Sequence, residues 1–133
     1  MPSAGYSGTP LWKKLGLKPG MKVALVGAPP GYESRLASRP DGIALGRRWN
    51  ARAEVIQLFT ARRAELRTRL RAFRESCPAT SALWVSWPKK SSGVPSEIGE
   101  DDIRAEALPL GLVDVKVCAV DEVWSGLRLV HRR

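Results

Sequence analysis

The sequence predicts an α/β domain in which a mostly parallel sheet lies between two layers of helices. The apolar run of residues 23–26 ends in a loop with two glycines, which is typical of a buried parallel strand that turns toward a helix. Two further apolar runs, residues 53–60 and 82–87, flank a strongly helical segment, and this alternation indicates parallel strands joined by crossovers. The chain closes with two neighbouring strand patterns that predict an antiparallel pair.

Six strands are predicted along the chain. The first begins after a Pro-Gly turn, and Pro88 ends the fourth, since these residues are turn formers and breakers. Along the fifth strand Val113, Val115 and Val117 alternate with other residues, as in a strand with one buried face. The predicted strands cover residues 23–26, 42–46, 53–60, 82–87, 112–120 and 126–131.

Four helices are predicted between these strands. The first has Thr9 as its N-cap and Pro10 at its first position, and the second ends before Pro40 because the residue before a proline avoids helical angles. The third has one apolar stripe, and the fourth starts after Gly99 with three acidic residues at the positive end of its dipole. The second, third and fourth helices cover residues 30–38, 62–76 and 100–108.

Composition and charge narrow the class of protein. The 133 residues are 44% hydrophobic and 26% charged, which is typical of a globular chain, and we expect a flexible arm over residues 1–8 and one domain over residues 9–133. No leader pattern and no apolar run near the roughly 18 residues of a membrane span is present, which favours a cytoplasmic protein without membrane contact. Cys77, Cys118 and His131 do not form a zinc-type ligand pattern, so no metal is expected.

Two parts of the sequence resemble known families. The segment LGLKPGMKVALVGAP resembles the entry to S-adenosylmethionine-dependent methyltransferase domains. The segments YSGTPLWKKLGLKPG, LWVSWPKKSSGV and LPLGLVDVKVCAVDEVWSGLRLV resemble a family of small uncharacterised bacterial proteins that is known only as a domain of unknown function. Together with right-handed crossovers, the methyltransferase resemblance implies a small Rossmann-like sandwich, a truncated methyltransferase fold, with its strands in the order second, first, third, fourth, sixth, fifth. One strand and one helix of the full domain are missing between residues 46 and 53.

The loop after the first strand is a candidate ligand loop. Gly27, Ala28 and Gly31 allow close approach of a ligand, but Pro29 and Pro30 lack the N–H groups that a phosphate or cofactor cradle uses. The acidic residue that holds ribose hydroxyls about 20 positions further on is replaced by arginine. We therefore expect no cofactor, with S-adenosylmethionine possible but disfavoured.

The loop after the fourth strand is the stronger candidate. It follows a core strand at the carboxyl edge of the sheet, where open α/β sheets bind ligands, and it offers ammonium, hydroxyl and aromatic groups for a small anion. No catalytic residue is predicted, because no general base has a credible partner. The candidate ligand-binding residues are Gly27, Ala28, Gly31, Thr60, Trp87, Lys89, Lys90 and Ser91.

The charge distribution leaves a second kind of partner open. Residues 1–78 contain 15 basic and 5 acidic residues, and residues 79–133 contain 7 and 8, for a net charge of +9 overall. A basic half of this kind raises the expectation of polyanion contact. The candidate nucleic-acid-binding residues are Arg47, Arg48, Arg52, Arg63, Arg67, Arg71 and Arg74.

Three functional hypotheses follow. The first is a non-catalytic Rossmann-like module that binds a small anionic ligand or a protein partner. The second is a nucleic-acid-associated protein that binds through the arginine-rich helix. The third is a degenerate S-adenosylmethionine-dependent methyltransferase, the one enzyme among the three.

Overall fold

A computed structural model describes residues 8–132, and the predicted arm lies outside the described residues except for Gly8. The six strands are β1 (Lys22–Val26), β2 (Ala44–Gly46), β3 (Val55–Phe59), β4 (Ala82–Pro88), β5 (Leu112–Ala119) and β6 (Trp124–His131). The helices are α1 (Leu11–Lys14), α2 (Arg63–Ser76) and α3 (Glu100–Ala107), with 3₁₀ helices over Tyr32–Leu36, Lys90–Ser92 and Leu108–Leu110.

The strands form one sheet in the order β2-β1-β3-β4-β6-β5. Strands β1 to β4 are parallel, β6 pairs antiparallel with β4, and β5 pairs antiparallel with β6 at the edge. This confirms the predicted fold class and strand order. The physical basis is that long apolar runs favour the buried centre of a parallel sheet, and a hairpin favours an antiparallel pair.

Each face of the sheet has its own core. Alternate residues of a strand point to opposite faces, so Ala24 and Val26 pack with α2 and α3, whereas Val23 and Leu25 pack with α1 and the Tyr32–Leu36 helix. The core with α2 and α3 includes Ile56, Leu58, Leu66, Leu70, Phe73, Leu83, Val85 and Ile103. The core on the other face includes Leu11, Leu15, Tyr32, Leu36, Phe59 and Trp84.

Three local predictions need correction. The first helix begins at Leu11 with Pro10 as its N-cap, so Thr9 does not cap it. The predicted helix over residues 30–38 is only a 3₁₀ helix over Tyr32–Leu36, which starts after Gly31 at a φ of 77° and in which the Ser34 N–H donates to the carbonyl of Gly31, three residues back. The third is the predicted alternation along β5, where the register shifts between Asp114 and Lys116.

That shift changes the side-chain pattern of β5. Val115 and Val117 are 49% and 46% exposed, so the predicted alternation does not bury them. A bulge in an edge strand bends it and interrupts the row of pairing groups that another chain could use. The exposed valines therefore lie on an irregular edge.

The connection from β2 to β3 is a short loop. It crosses β1 in eight residues, 47–54, and contains no helix. Trp49, Ala51 and Ala53 of this loop pack against the core that contains α2 and α3. No helix among the described residues is long and apolar enough to cross a membrane.

Candidate functional site at the carboxyl edge of the sheet

The carboxyl ends of β1, β3 and β4 lie at one edge of the sheet, as parallel pairing requires. The three loops that leave this edge contain the predicted ligand-binding residues. In an open α/β sheet this edge is where ligands bind.

Gly27 holds the first loop against the end of β3. Its φ is 73°, and a Cβ at this position would lie 2.8 Å from the carbonyl oxygen of Phe59. Gly31 has a φ of 77°, but no atom lies within 4 Å of where its Cβ would be. Gly27 is therefore required by packing, whereas Gly31 leaves open space beside the loop, and Ala28 is half-buried between them.

A buried chain of hydrogen bonds supports this loop. The Tyr32 hydroxyl donates to Oε1 of Gln57 at 2.7 Å, and Nε2 of Gln57 donates to Oγ of Ser86 at 3.1 Å. Burial raises the pKa of Tyr32, so the phenol stays a neutral donor. Sequence reasoning missed this network, although Gln57 and Ser86 are visible as polar residues inside otherwise apolar strands.

Aromatic rings extend the support toward the β5–β6 hairpin. The Phe59 ring meets the rings of Tyr32 and Trp124 edge to face, with centroid separations of 4.7 and 5.1 Å. Oδ1 of Asp121 accepts from the backbone N–H groups of Val123 and Trp124, both at 2.8 Å, which fixes the turn that carries Trp124. The loop after β1 therefore rests on ordered side chains.

Glu33 brings a carboxylate to the end of β2. Its Oε2 lies 2.5 Å from a guanidinium nitrogen of Arg47, the residue that directly follows β2. The sequence thus has a basic residue, Arg47, where a ribose-binding acid is expected. In the folded chain, however, the carboxylate of Glu33 lies beside it. Glu33 was not among the predicted site residues, because nothing in its own segment indicates that the 3₁₀ helix places it beside β2.

Thr60 is engaged by the start of α2. Its hydroxyl donates to Oε1 of Glu65 at 2.6 Å and accepts from the N–H of Arg62 at 3.1 Å. The side chain is buried. Thr60 therefore lies at the predicted edge, but its hydroxyl is already used to orient the first turn of α2.

The third loop lies on the other side of the edge. Trp87 packs in the core with α2 and α3, and with Lys90 and Asp102 it lines a cavity of about 180 Å³. None of Gly27, Ala28 and Gly31 lines that cavity. The Lys89 N–H donates to the carbonyl of Val123 at 2.8 Å, and Lys90 and Ser91 are exposed in a 3₁₀ helix. The predicted residues of the loop after β1 and those of the loop after β4 therefore share an edge of the sheet without forming one pocket.

Two arginines of α2 bind α3. Arg63 lies 2.7 Å from Asp102 and 3.3 Å from Glu106, and Arg67 lies 2.9 Å from Glu106. Nε of Arg74 donates to the carbonyl of Leu110 at 2.9 Å. The predicted nucleic-acid-binding set therefore divides into residues that join two helices and a second group at the β2–β3 loop, where Arg48 and Arg52 are exposed. Arg71 is exposed and lines a cavity beside Arg67 and Glu106.

These ion pairs predict that the stability of the fold depends on pH. The hydrogen bond from Arg63 holds the pKa of Asp102 below its usual range, and Arg67 does the same for Glu106. A carboxyl group with a lowered folded-state pKa stabilises the fold above its unfolded pKa, and this contribution is lost as the pH falls through the folded value. We expect the melting temperature to fall as the pH drops below about 4.

Arg63→Ala should flatten this acid response. Its melting temperature at neutral pH should be lower than that of the wild type, and the two curves should converge in acid, as thermal unfolding across a pH series would measure. Arg52→Ala, an exposed arginine without an acidic partner among the described residues, is the matched control and should keep the wild-type slope. Parallel curves for Arg63→Ala and the wild type would contradict the assignment.

Comparison with known proteins identifies the fold. No protein-family model and no curated protein sequence matches the chain. Among solved structures, the N-methyltransferase NodS from Bradyrhizobium japonicum aligns with a TM-score of 0.57 and 11% identity over 92% of this chain and 93% of that one. The ribosomal protein L11 methylase from Lactobacillus delbrueckii aligns with a TM-score of 0.58 and 12% identity over 92% and 75%.

A third structure extends the same likeness. The O-methyltransferase NcsB1 of neocarzinostatin biosynthesis, in complex with S-adenosyl-L-homocysteine, aligns with a TM-score of 0.58 and 14% identity over 96% of this chain and 52% of that one. At such low identity the alignments show the fold alone. The chain has the Rossmann-like fold of methyltransferases, and its relation to the uncharacterised bacterial family stays a prediction.

Proposed function

We propose that this chain is a degenerate methyltransferase that binds S-adenosylmethionine, or its demethylated product, beside residues 27–31. The observation that carries the proposal is the carboxylate of Glu33 at the carboxyl end of β2. Nucleotide-type ligands in this fold need an acidic group there to accept hydrogen bonds from the ribose hydroxyls. Glu33 is half-buried and joined to Arg47, so its oxygens are oriented before a ligand arrives.

The loop fits one part of such a ligand better than another. Gly31 leaves space beside the backbone, and Glu33 follows it by two residues. Pro29 and Pro30 offer no N–H to the ligand carboxylate, and a hydrogen bond to a charged group contributes about 1.5–3 kcal/mol. The residues therefore fit the ribose and leave the amino-acid end weakly held, which makes low affinity the expected result.

The protein's own groups would bind and orient the ligand. Tyr32 and Phe59 support the loop from below, and Glu33 would hold the ribose. Bound S-adenosylmethionine supplies an electrophilic methyl group. No side chain of this edge is assigned to proton transfer, so the proposal concerns cofactor binding by a reduced methyltransferase fold.

The likeness to methyltransferases supports this proposal over a small-anion module. In the loop after β4, Lys90 lines the same cavity as Asp102, and its positive charge adds to the lowering of the pKa of Asp102 by Arg63 and the N–H of Gly99. Glu97 also lines that cavity. An anion would compete there with two carboxylates, whereas the open side of Gly31 has Glu33 placed for hydroxyl groups.

Calorimetry with Glu33→Gln tests the proposal. Wild-type protein should release or absorb measurable heat with millimolar S-adenosylmethionine or S-adenosyl-L-homocysteine, and Glu33→Gln should weaken binding about tenfold because a charged acceptor is lost. Arg47→Ala keeps the carboxylate but removes the partner that orients it, so it should weaken binding less than Glu33→Gln does. Glu75→Gln, at an exposed site near the end of α2, is the matched control. No heat with either ligand would remove the proposal.

A further inference from the structure

The short β2–β3 connection leaves part of one sheet face open. A crossover between parallel strands is commonly a helix of a dozen or more residues, which covers the sheet. Here residues 47–54 replace it and leave a cavity of about 540 Å³ over β1 and β2. We call this cavity the Trp49 groove. It is lined by Lys22, Val23, Ala24, Ala44, Leu45, Gly46, Arg47, Arg48, Trp49 and Asn50.

The base of the groove is flat because its side chains are small. Val23 and Leu45 pack toward the opposite core, so by alternation Ala24, Ala44 and Gly46 face the groove. A Cβ at Gly46 would have Val23 O, 4.0 Å away, as its only close neighbour. Two adjacent parallel strands with Ala and Gly on the same face present a plane that a flat ring can contact closely.

Trp49 forms the aromatic side of the groove. Its indole is half-buried against the core with α2 and α3, and the guanidinium carbon of Arg69 lies 5.1 Å from the ring centroid. A tryptophan held in this way keeps its orientation, so a ligand ring that stacks on it loses little entropy of the protein. The groove therefore contains a fixed aromatic side chain beside a flat apolar base.

Positive charge lies at the rim of the groove. Arg48 is exposed and makes no ion pair or hydrogen bond with any residue in the described part of the chain, and Lys22 lines the same cavity. The neighbouring acids are already engaged, since Glu33 pairs with Arg47 and Oε1 of Glu54 accepts from the backbone N–H of Lys22 at 2.7 Å. The Arg48 guanidinium, beside the ammonium of Lys22, is thus open to an anion, and a planar guanidinium binds carboxylates and phosphates in a bidentate manner.

We propose that the Trp49 groove binds a planar aromatic anion. The ring of the ligand lies against the flat base and stacks on Trp49, and its acid group binds Arg48. The cavity volume falls in the range of small-molecule sites, roughly 300–1,000 Å³. The groove lies on a face of the sheet rather than beside residues 27–31, and Arg47, which lines it and pairs with Glu33, is its link to the proposed cofactor site. Aromatic phosphates and aromatic carboxylates share the required chemistry.

The test uses 2-naphthyl phosphate as the probe, with 2-naphthol and inorganic phosphate as its two halves. Calorimetry should show one site per chain and an affinity for the whole probe at least about tenfold above that for either half, since ring and charge both contribute. In a nitrogen–proton correlation spectrum the Trp49 indole and the Gly46 amide should shift on titration. Equal affinity for phosphate alone would overturn the proposal.

Variants locate the site. Arg48→Ala should weaken the probe about tenfold or more, whereas Arg52→Ala, an exposed arginine of the same loop outside the groove, should leave affinity unchanged. Ala44→Phe places a ring in the groove and should abolish binding, and Gly46→Leu repeats the test at a second position. Both sites are exposed, so circular dichroism should show a folded protein.

Three outcomes would contradict the groove as a ligand site. Equal losses of probe affinity in Arg48→Ala and Arg52→Ala would mean that the probe is held by diffuse electrostatic attraction. Unchanged affinity in Ala44→Phe would place the probe elsewhere. Self-association of the wild type that Ala44→Phe removes, together with no probe binding, would mean that a second copy covers this face.

Discussion

Replacing Trp84 with alanine is expected to cost about 3–5 kcal/mol of unfolding free energy, the typical loss for a large buried aromatic side chain. Trp84 is fully buried in the centre of β4, and its indole N–H donates to the carbonyl of Leu15 at 3.0 Å. Its ring also packs closely on Gly126, where an added Cβ would lie only 3.2 Å from the ring. The substitution therefore removes core volume and leaves the Leu15 carbonyl without its donor.

Thermal unfolding followed by circular dichroism measures this effect. Since such domains have a total stability of about 5–15 kcal/mol, the melting temperature should drop by about 10–20 °C. Trp12→Ala is the matched control, because Trp12 lies on the same side of the sheet but is only half-buried and donates to Ser38 near the surface. A loss for Trp84→Ala no larger than that for Trp12→Ala would contradict the assignment of Trp84 as the link between β4 and α1.

Gly27→Ala is the second large effect we expect, at about 2–4 kcal/mol. A residue with a side chain pays about 1–2 kcal/mol for the left-handed region, and the new Cβ would lie 2.8 Å from the backbone carbonyl of Phe59, which cannot rotate away. Gly31→Ala is the matched control. It has nearly the same φ and open space, so it should lose only the backbone contribution.

Urea unfolding separates the two glycine variants. Both midpoints should fall with an unchanged slope, and the fall should be clearly larger for Gly27→Ala. Equal falls would mean that the contact with Phe59 relaxes without cost. The comparison also bears on the proposed cofactor site, since Gly31→Ala places a methyl group in the space that the ligand would use while keeping the fold.

Much of the fold was predictable because local patterns and long-range packing agree in it. The apolar runs of β1, β3 and β4 each become fully or almost fully buried strands. On α2 the predicted stripe of Leu66, Leu70 and Phe73 is buried. For α3, Gly99 is the N-cap, and its N–H donates to Oδ2 of Asp102 at 2.9 Å.

The candidate site was predicted less completely. The edge of the sheet followed from the strand pattern, but the predicted loop residues separate between the two faces, with Ala28 beside one core and Trp87 within the other. Glu33 and Trp49 were not predicted as site residues. Both act through partners distant in sequence, Arg47 for Glu33 and Arg69 for Trp49, and a single sequence contains no sign of such pairs.

The sequence by itself determined where the strands and the main helices lie along the chain and the edge where loops 27–31 and 89–93 meet the solvent. These follow from apolar periodicity, glycine and proline, which act within a few residues. Only the tertiary structure decided which charges are engaged: it joined Arg63 and Arg67 to α3, placed Glu33 beside Arg47, and left Arg48 at an open groove. Ion pairing depends on distances across the fold, and those distances exist only once the sheet has formed.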